Sequence, residues 1–278
     1  MNMNWLESLI YGIVSGLTEF LPVSSQAHRI LVLKLFGAGA ESPLLRLVVD
    51  CALLAALLNG CKGTLRHLRK ERQLMKAPKR SRLRRPDARS IMEWKLLKVA
   101  AIPMLIGIVL CSRLGSAVTG LNFTALFLIV NGILLYFPAY ISKANKDASS
   151  LSPLDSLLIG LSGILSVFPG ISRIGAGSAV SVTRGADWAY TGHFCLLLSI
   201  PALAVLILLD IIALAGAGIG TVSFMIVLNY LLAAAGTYFG AFYSIQLLRF
   251  LTAKGGFTDL SYYCWGMALF SFILYLVT

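Results

Sequence analysis

The stretch Gly16-Leu17-Thr18-Glu19-Phe20-Leu21-Pro22-Val23-Ser24-Ser25-Gln26-Ala27-His28 decides how this chain is read. One hydrophobic run enters it and another leaves it. Between them lie a carboxylate, a proline break, two hydroxyls and an imidazole. A second break of the same kind stands far downstream, at Ser166-Val167-Phe168-Pro169-Gly170-Ile171-Ser172-Arg173-Ile174-Gly175. The reading that follows is that the two breaks meet inside a membrane and hold a phosphate.

Of the 278 residues, 58% are hydrophobic and 13% charged, whereas a soluble domain carries about a quarter charged residues. Uncharged runs such as 123–141 and 194–209 approach the roughly 20 residues that a bilayer helix needs. The fold class expected is all-α: a polytopic integral membrane protein. No cleavable signal peptide is expected, because the first apolar segment carries Glu19 and lacks a basic leader.

The formal charge of +12 is concentrated rather than spread. Of 24 Lys and Arg, 14 lie within residues 62–98, opposed there by only Glu71, Asp87 and Glu93. That is the cytoplasmic loop of the positive-inside rule, in contact with anionic headgroups, and not a nucleic-acid surface. The five cysteines are scattered without metal-ligand spacing and read as small core residues.

In chain order, residues 5–21 are too short and too polar for a lipid-facing span and fit a half-helix that ends at Pro22. Such backbone is tolerated at membrane depth only where protein or water satisfies it. A helix restarts over 24–36 with Ser24 or Ser25 as N-cap. Then come an apolar segment 44–59 containing Asp50, a basic loop 62–98 that is partly helical at best, spans 96–114 and 121–140, and a polar linker 142–152. The second half has a broken segment 154–168, a helix 172–184, spans 191–213 (kinked by Pro201) and 222–248, a polar turn 246–259 and a last span 260–277. Laying Pro22 on Pro169 puts Gly16 on Gly163, Ser15 on Ser162 and Ser25 on Ser172. One membrane domain over 1–278 is therefore expected as two half-repeats, 1–141 and 153–278. Paired Gly/Pro-broken segments of this kind mark sites built from discontinuous helices.

Each break starts a helix whose first N–H groups lack intrahelical partners, and these with the helix dipole form an anion site. Arg173 adds a forked cation suited to phosphate. Ser25 and His28, three apart, share a helix face and pair a hydroxyl with a base, as nucleophilic catalysis requires. Glu19 could orient the imidazole, bind a divalent cation or donate a proton. Each residue also has a plainer role: Ser25 as a cap, His28 at the interface, Arg173 at headgroups, Glu19 paired with an arginine. One plain cause does not place all four beside two proline breaks.

These residues resemble the bacitracin-resistance family of undecaprenyl-diphosphatases. The similar pieces are the run from Gly16 to Ser25, then His28, and Pro169-Gly170-Ile171-Ser172-Arg173 with Gly175. The resemblance implies an inverted-repeat fold with two re-entrant helix pairs meeting in a cavity, located in the bacterial cytoplasmic (inner) membrane. It implies removal of the terminal phosphate of undecaprenyl diphosphate, which regenerates the carrier for peptidoglycan synthesis. Ser25 would be the nucleophile, or else His28 with Ser25 assisting. Arg173, Ser172, Ser24, Gly170 and Gly175 would hold phosphate, and Glu19 would serve a divalent metal (Mg or Ca) or a proton. The partners implied are the polyprenyl diphosphate and membrane lipids, with a homodimer left open. Several positions depart from the family pattern: Ser15 for an acidic or amide residue, Gln26-Ala27 for Thr-Gly, Ile174 for serine, Ser162-Gly163-Ile164 where a glutamine is expected, and Asp50-Cys51 in the third segment. Loss of a carboxylate at position 15 should weaken metal binding. The competing expectation is a polyprenyl-phosphate transporter or flippase that uses the same cradle without hydrolysis.

Overall fold

The computed structural model describes residues 3–77, 84–140, 145–218 and 223–277. Among them are eleven α-helices and no strand: α1 (Trp5–Glu19), α2 (Ser25–Leu35), α3 (Pro43–Gly60), α4 (Lys62–Lys76), α5 (Ala88–Ala117), α6 (Leu121–Tyr136), α7 (Pro153–Gly163), α8 (Arg173–Thr183), α9 (Trp188–Ala217), α10 (Phe224–Ala253) and α11 (Asp259–Val277). Five of them, α3, α5, α9, α10 and α11, are long and apolar enough to cross a bilayer. The chain is a multi-pass membrane protein.

α1 and α7 do not reach that length. At 15 and 11 residues they rise about 22 and 16 Å at 1.5 Å per residue, short of a hydrocarbon core of about 30 Å. Each starts at a reciprocal cap. Asn4 accepts from the Glu7 N–H while Glu7 accepts from that of Asn4, and Ser152 and Asp155 repeat the exchange. Both stop short of their proline, and a new helix then starts: α2 after Ser24, α8 after Ser172.

Each short helix packs on a long helix of the other half of the sequence. α1 lies along α10, with Gly12 and Gly16 against the backbone of Ala233, Thr237 and Ala241. α7 lies along α5, with Gly160 against the backbone of Ala100. A methyl group at Gly12 or Gly160 would fall 2.1 Å from a carbonyl oxygen. Helix backbones approach this closely in membranes only where small residues line the contact. α3 packs on both α9 and α10, and α6 on α11.

Two expectations are corrected, on the basic loop and on the span lengths. The region expected as a largely unfolded basic loop is α4 followed by the start of α5; residues 78–83 of it lie outside the described part. α4 is helical because one face has something to bury. Leu68 is buried, its carbonyl accepts from the Trp94 indole of α5 at 2.9 Å, and Arg72 stacks over that ring. Glu71, fully buried, pairs with Arg84 and accepts from the Asp87 N–H. The spans are also longer than read: α5 and α9 each continue for 30 residues through Pro103 and Pro201. Finally, the linker expected at 142–152 is described from 145 onward, where Lys146 bridges Ala186.

Candidate active site where two broken helices meet

The turn after α1 and the turn before α8 are joined by hydrogen bonds in both directions. The Gly170 N–H donates to Ser24 Oγ at 3.1 Å, and Ser172 Oγ donates to the Leu21 carbonyl at 3.2 Å. Asn131 of α6, fully buried, holds both turns. Its Nδ2 donates to the Pro22 carbonyl at 2.8 Å and its Oδ1 accepts from the Ser172 N–H at 2.9 Å. Each turn has a residue with positive φ: Ser24 at 67° and Gly170 at 126°. A non-glycine residue held there stores about 1–3 kcal/mol of strain that surrounding contacts must offset. At Gly170 the close approach also matters, because a Cβ would lie 2.5 Å from that of Phe127.

Arg173, the first residue of α8, reaches the end of α1. Its Nη2 lies 2.7 Å from Glu19 Oε1, and its Nε donates to Ser199 Oγ of α9 at 3.3 Å. Ser172 caps α8 by accepting from the Gly175 N–H at 3.2 Å. Gly175 leaves room for Asn131, whose Oδ1 would sit 2.9 Å from an added Cβ. So Glu19, Ser24, Gly170, Ser172, Arg173 and Gly175 are gathered at one place, with two helix N-termini between them.

Ser25 and His28 follow in α2, both buried, and they are not bonded to each other. Ser25 Oγ donates to the Ser15 carbonyl at 3.3 Å. His28 Nδ1 lies 2.8 Å from the Ser24 carbonyl, which can only accept, so Nδ1 carries the proton. That leaves Nε2 as an acceptor, 2.7 Å from the Tyr263 hydroxyl of α11, with the two ring planes within 1° of parallel. The expected serine–histidine relay is replaced by a tyrosine–histidine contact.

A second layer surrounds Glu19. Arg29 of α2 has a buried guanidinium: Nη2 lies 3.0 Å from Asp50 Oδ1 and 3.9 Å from Glu19 Oε2, and Nη1 lies 3.7 Å from Glu41 Oε1. Glu41 also accepts from Tyr11 and from Arg46. Sequence reasoning singled out neither Asn131, Tyr263 nor Glu41. Asn131 was findable, as an amide inside an apolar span where a polar group is costly. Tyr263 gave no signal among the aromatic residues of its helix. Glu41 sits in a polar connector where a carboxylate is ordinary.

With this geometry in view, comparison with known proteins is decisive. A family model described as "Bacitracin resistance protein BacA" matches residues 8–270. The chain belongs to this family. Similar relatives carry the name undecaprenyl-diphosphatase. One from Methanobrevibacter smithii is 29% identical, with 98% of each chain covered. One from Halothermothrix orenii is 26% identical with the same coverage, and one from Thermosipho melanesiensis is 30% identical over 96% of this chain and 98% of its own.

The divalent cation that the resemblance implies at Glu19 meets a donor set of the wrong kind. Both oxygens of Glu19 face guanidinium groups. The neighbouring carboxylates of Glu41 and Asp50 turn toward Arg29. Among the described residues, no three His, Cys, Asp or Glu side chains converge as metal ligands. These residues do not fit a protein-held cation, since hard cations need several oxygen ligands aimed at one point.

Proposed function

We propose that this protein removes the terminal phosphate of undecaprenyl diphosphate, leaving the monophosphate carrier and inorganic phosphate. The observation that supports this reading is the joining of the two broken helices, through Gly170 to Ser24 and Arg173 to Glu19, just before the helix that carries Ser25 and His28. The relatives bear the name of a diphosphatase, so hydrolysis is retained over transport.

In the resting arrangement Glu19 occupies the Arg173 guanidinium. An incoming diphosphate, with higher charge and a better bidentate fit, takes that guanidinium. Glu19 is released to handle a proton. The terminal phosphoryl is then held by Arg173, by the N–H groups at the starts of α2 and α8, and by the hydroxyls of Ser24 and Ser172. Preorganised donors of this kind stabilise the charge spread over phosphoryl oxygens in the transition state. The His28 Nε2 lone pair is freed for phosphorus when the Tyr263 hydroxyl gives way, whereas Ser25 Oγ bonds the Ser15 carbonyl and would need that same imidazole as its base. His28 therefore attacks phosphorus, the phosphoanhydride P–O bond breaks, and the monophosphate leaves with its electron pair. Water, deprotonated by Glu19, then cleaves the P–N bond and restores the imidazole. Ser25 orients the phosphoryl group.

The basic α4–α5 hairpin faces the cytoplasm under the positive-inside rule. The Asn4 end of α1 is at the opposite end of the molecule, beside Asn229 at the start of α10. The site is reached from that outer side of the cytoplasmic membrane. The pairing of α1 with α10 and α7 with α5 supports reading the halves 1–141 and 153–278 as inverted repeats with re-entrant helix pairs.

The test is phosphate release by purified protein in detergent from a polyprenyl diphosphate, beside a binding measurement with the same lipid. Multiple turnovers are expected. Saturable binding with no release would contradict hydrolysis and return the transport reading.

A further inference from the structure

Three carboxylates from three separate parts of the chain converge on a single buried guanidinium. Asp50 comes from α3, Glu41 from the segment before it and Glu19 from the end of α1, and they lie 3.0, 3.7 and 3.9 Å from Arg29. Arg29 is 8% exposed, and its Nε is buried without a hydrogen-bond partner. So Arg29 is not placed to satisfy its own donors. A guanidinium chosen for hydrogen bonding would have Nε engaged as well. Its position is set instead by charge: one buried and two half-buried carboxylates cannot all stay ionised without a cation among them.

We propose that Arg29 is a built-in cation that does the work of a divalent metal in this enzyme, so that phosphate release proceeds without added metal. This rests on the hydrolase reading of the same site. Arg29 acts as a positioning residue. It holds Glu19 from the side opposite Arg173, so that Glu19 Oε1 meets Arg173 while Oε2 faces Arg29. It also neutralises Glu41 and Asp50, which would otherwise repel the phosphate. A hard dication among the same oxygens would serve both ends, but the guanidinium already stands between them. Two further cations bound this cluster, Arg173 on Glu19 and Arg46 on Glu41. A dication added to the intact cluster would therefore meet Arg29, Arg46 and Arg173 at the oxygens of Glu19 and Glu41.

The experiment reads metal binding apart from turnover. Tb³⁺, a luminescent stand-in for Ca²⁺, is titrated into the wild type and Arg29→Gln, with excitation of tyrosine; Tyr11 bonds directly to Glu41. The wild type is expected to give no saturable signal, and Arg29→Gln to gain one that Asp50→Asn in the same background removes. In phosphate release, chelator should change wild-type kcat/KM by less than about twofold, while Arg29→Gln should fall by about tenfold or more in chelator and recover in part with Mg²⁺, the scale of losing a positioning group beside a bound charge. If Arg29→Gln does not fold, Arg29→Lys should keep resistance to chelator. A wild type that loses turnover in chelator and regains it with Mg²⁺ or Ca²⁺ overturns the proposal. So does a saturable Tb³⁺ signal in the wild type, or a folded Arg29→Gln protein that gains none. A wild type with no turnover at all defeats the hydrolase reading instead and leaves the Tb³⁺ titration to decide this one.

Discussion

Arg173 and Glu19 are 154 positions apart in the chain and 2.7 Å apart in space. The contact joins the end of the first broken helix to the start of the second, and it places a carboxylate where an anionic substrate must go. Glu19 is thus a resident competitor for the guanidinium. Replacing it by glutamine should strengthen substrate binding while removing the group that moves the proton. Glu19→Gln is expected to lower KM by a few fold and kcat by about a hundredfold or more, within the range that general acid–base catalysis contributes. Steady-state phosphate release measures both. An unchanged kcat would remove Glu19 from the chemistry.

Asn131 makes a separate prediction about stability. From a third helix, α6, it bonds both turns, through Pro22 and Ser172. Asn131→Leu strands a buried carbonyl and a buried N–H, each costing about 1–3 kcal/mol. The variant should unfold several degrees lower in a detergent thermal melt, and Gly170→Ala, with its positive φ and its contact at Phe127, should behave alike. A wild-type melting temperature in both would mean the turns are not held together.

The identity of the nucleophile is separable chemically. Substrate labelled at its terminal phosphate, mixed briefly with enzyme and quenched in base, should leave label on the protein that survives base and is lost in acid, as a P–N bond is. His28→Ala should abolish that label and Ser25→Ala should retain it. An acid-stable label lost in Ser25→Ala would assign the attack to the serine, against the contact between His28 and Tyr263.

Much of this was legible in the sequence, and the boundary has physical causes. The breaks at Pro22 and Pro169 were visible because proline ends a helix whatever surrounds it. The caps at Ser24 and Ser172 follow from local rules as well. Glu19 and Arg173 stood out because charge inside apolar sequence is rare. What local rules could not supply was direction across the fold. Ser25 and His28 are correctly spaced on a helix face, yet the imidazole turns to Tyr263, 235 positions away. The basic segment 62–76 looked like a loop because its charges outweigh its apolar residues. It folds because Leu68 and Glu71 find Trp94, Arg84 and Asp87 on the far arm of the hairpin. The family departure at Asp50 was legible, as was Arg29 close to the first break, but their pairing across 21 positions was not.

That hairpin gives a pH prediction. Glu71 is held below the usual carboxylate range, first by its hydrogen bond from Arg84 and then by the Asp87 N–H. A depressed carboxylate stabilises the fold above its unfolded pKa of about 4.3, and the contribution is lost as pH falls through the lower folded value. Limited proteolysis with pepsin should therefore cut between α4 and α5 increasingly as the pH falls below the usual carboxylate range and Glu71 protonates. Glu71→Gln should raise trypsin cleavage there at neutral pH. Equal cleavage of variant and wild type at pH 7 would show that Glu71 does not hold the hairpin.

The central claim is that both broken helices act on one bound phosphate, and a double-mutant cycle across them tests it most directly. kcat/KM for phosphate release is measured in wild type, Ser25→Ala, Arg173→Ala and the double variant. Each single substitution is expected to cost about a hundredfold, and the double variant no more than about tenfold beyond the worse single, because groups serving one anion fail together. Losses that multiply in full, or an Arg173→Ala enzyme with wild-type turnover, would contradict a shared site.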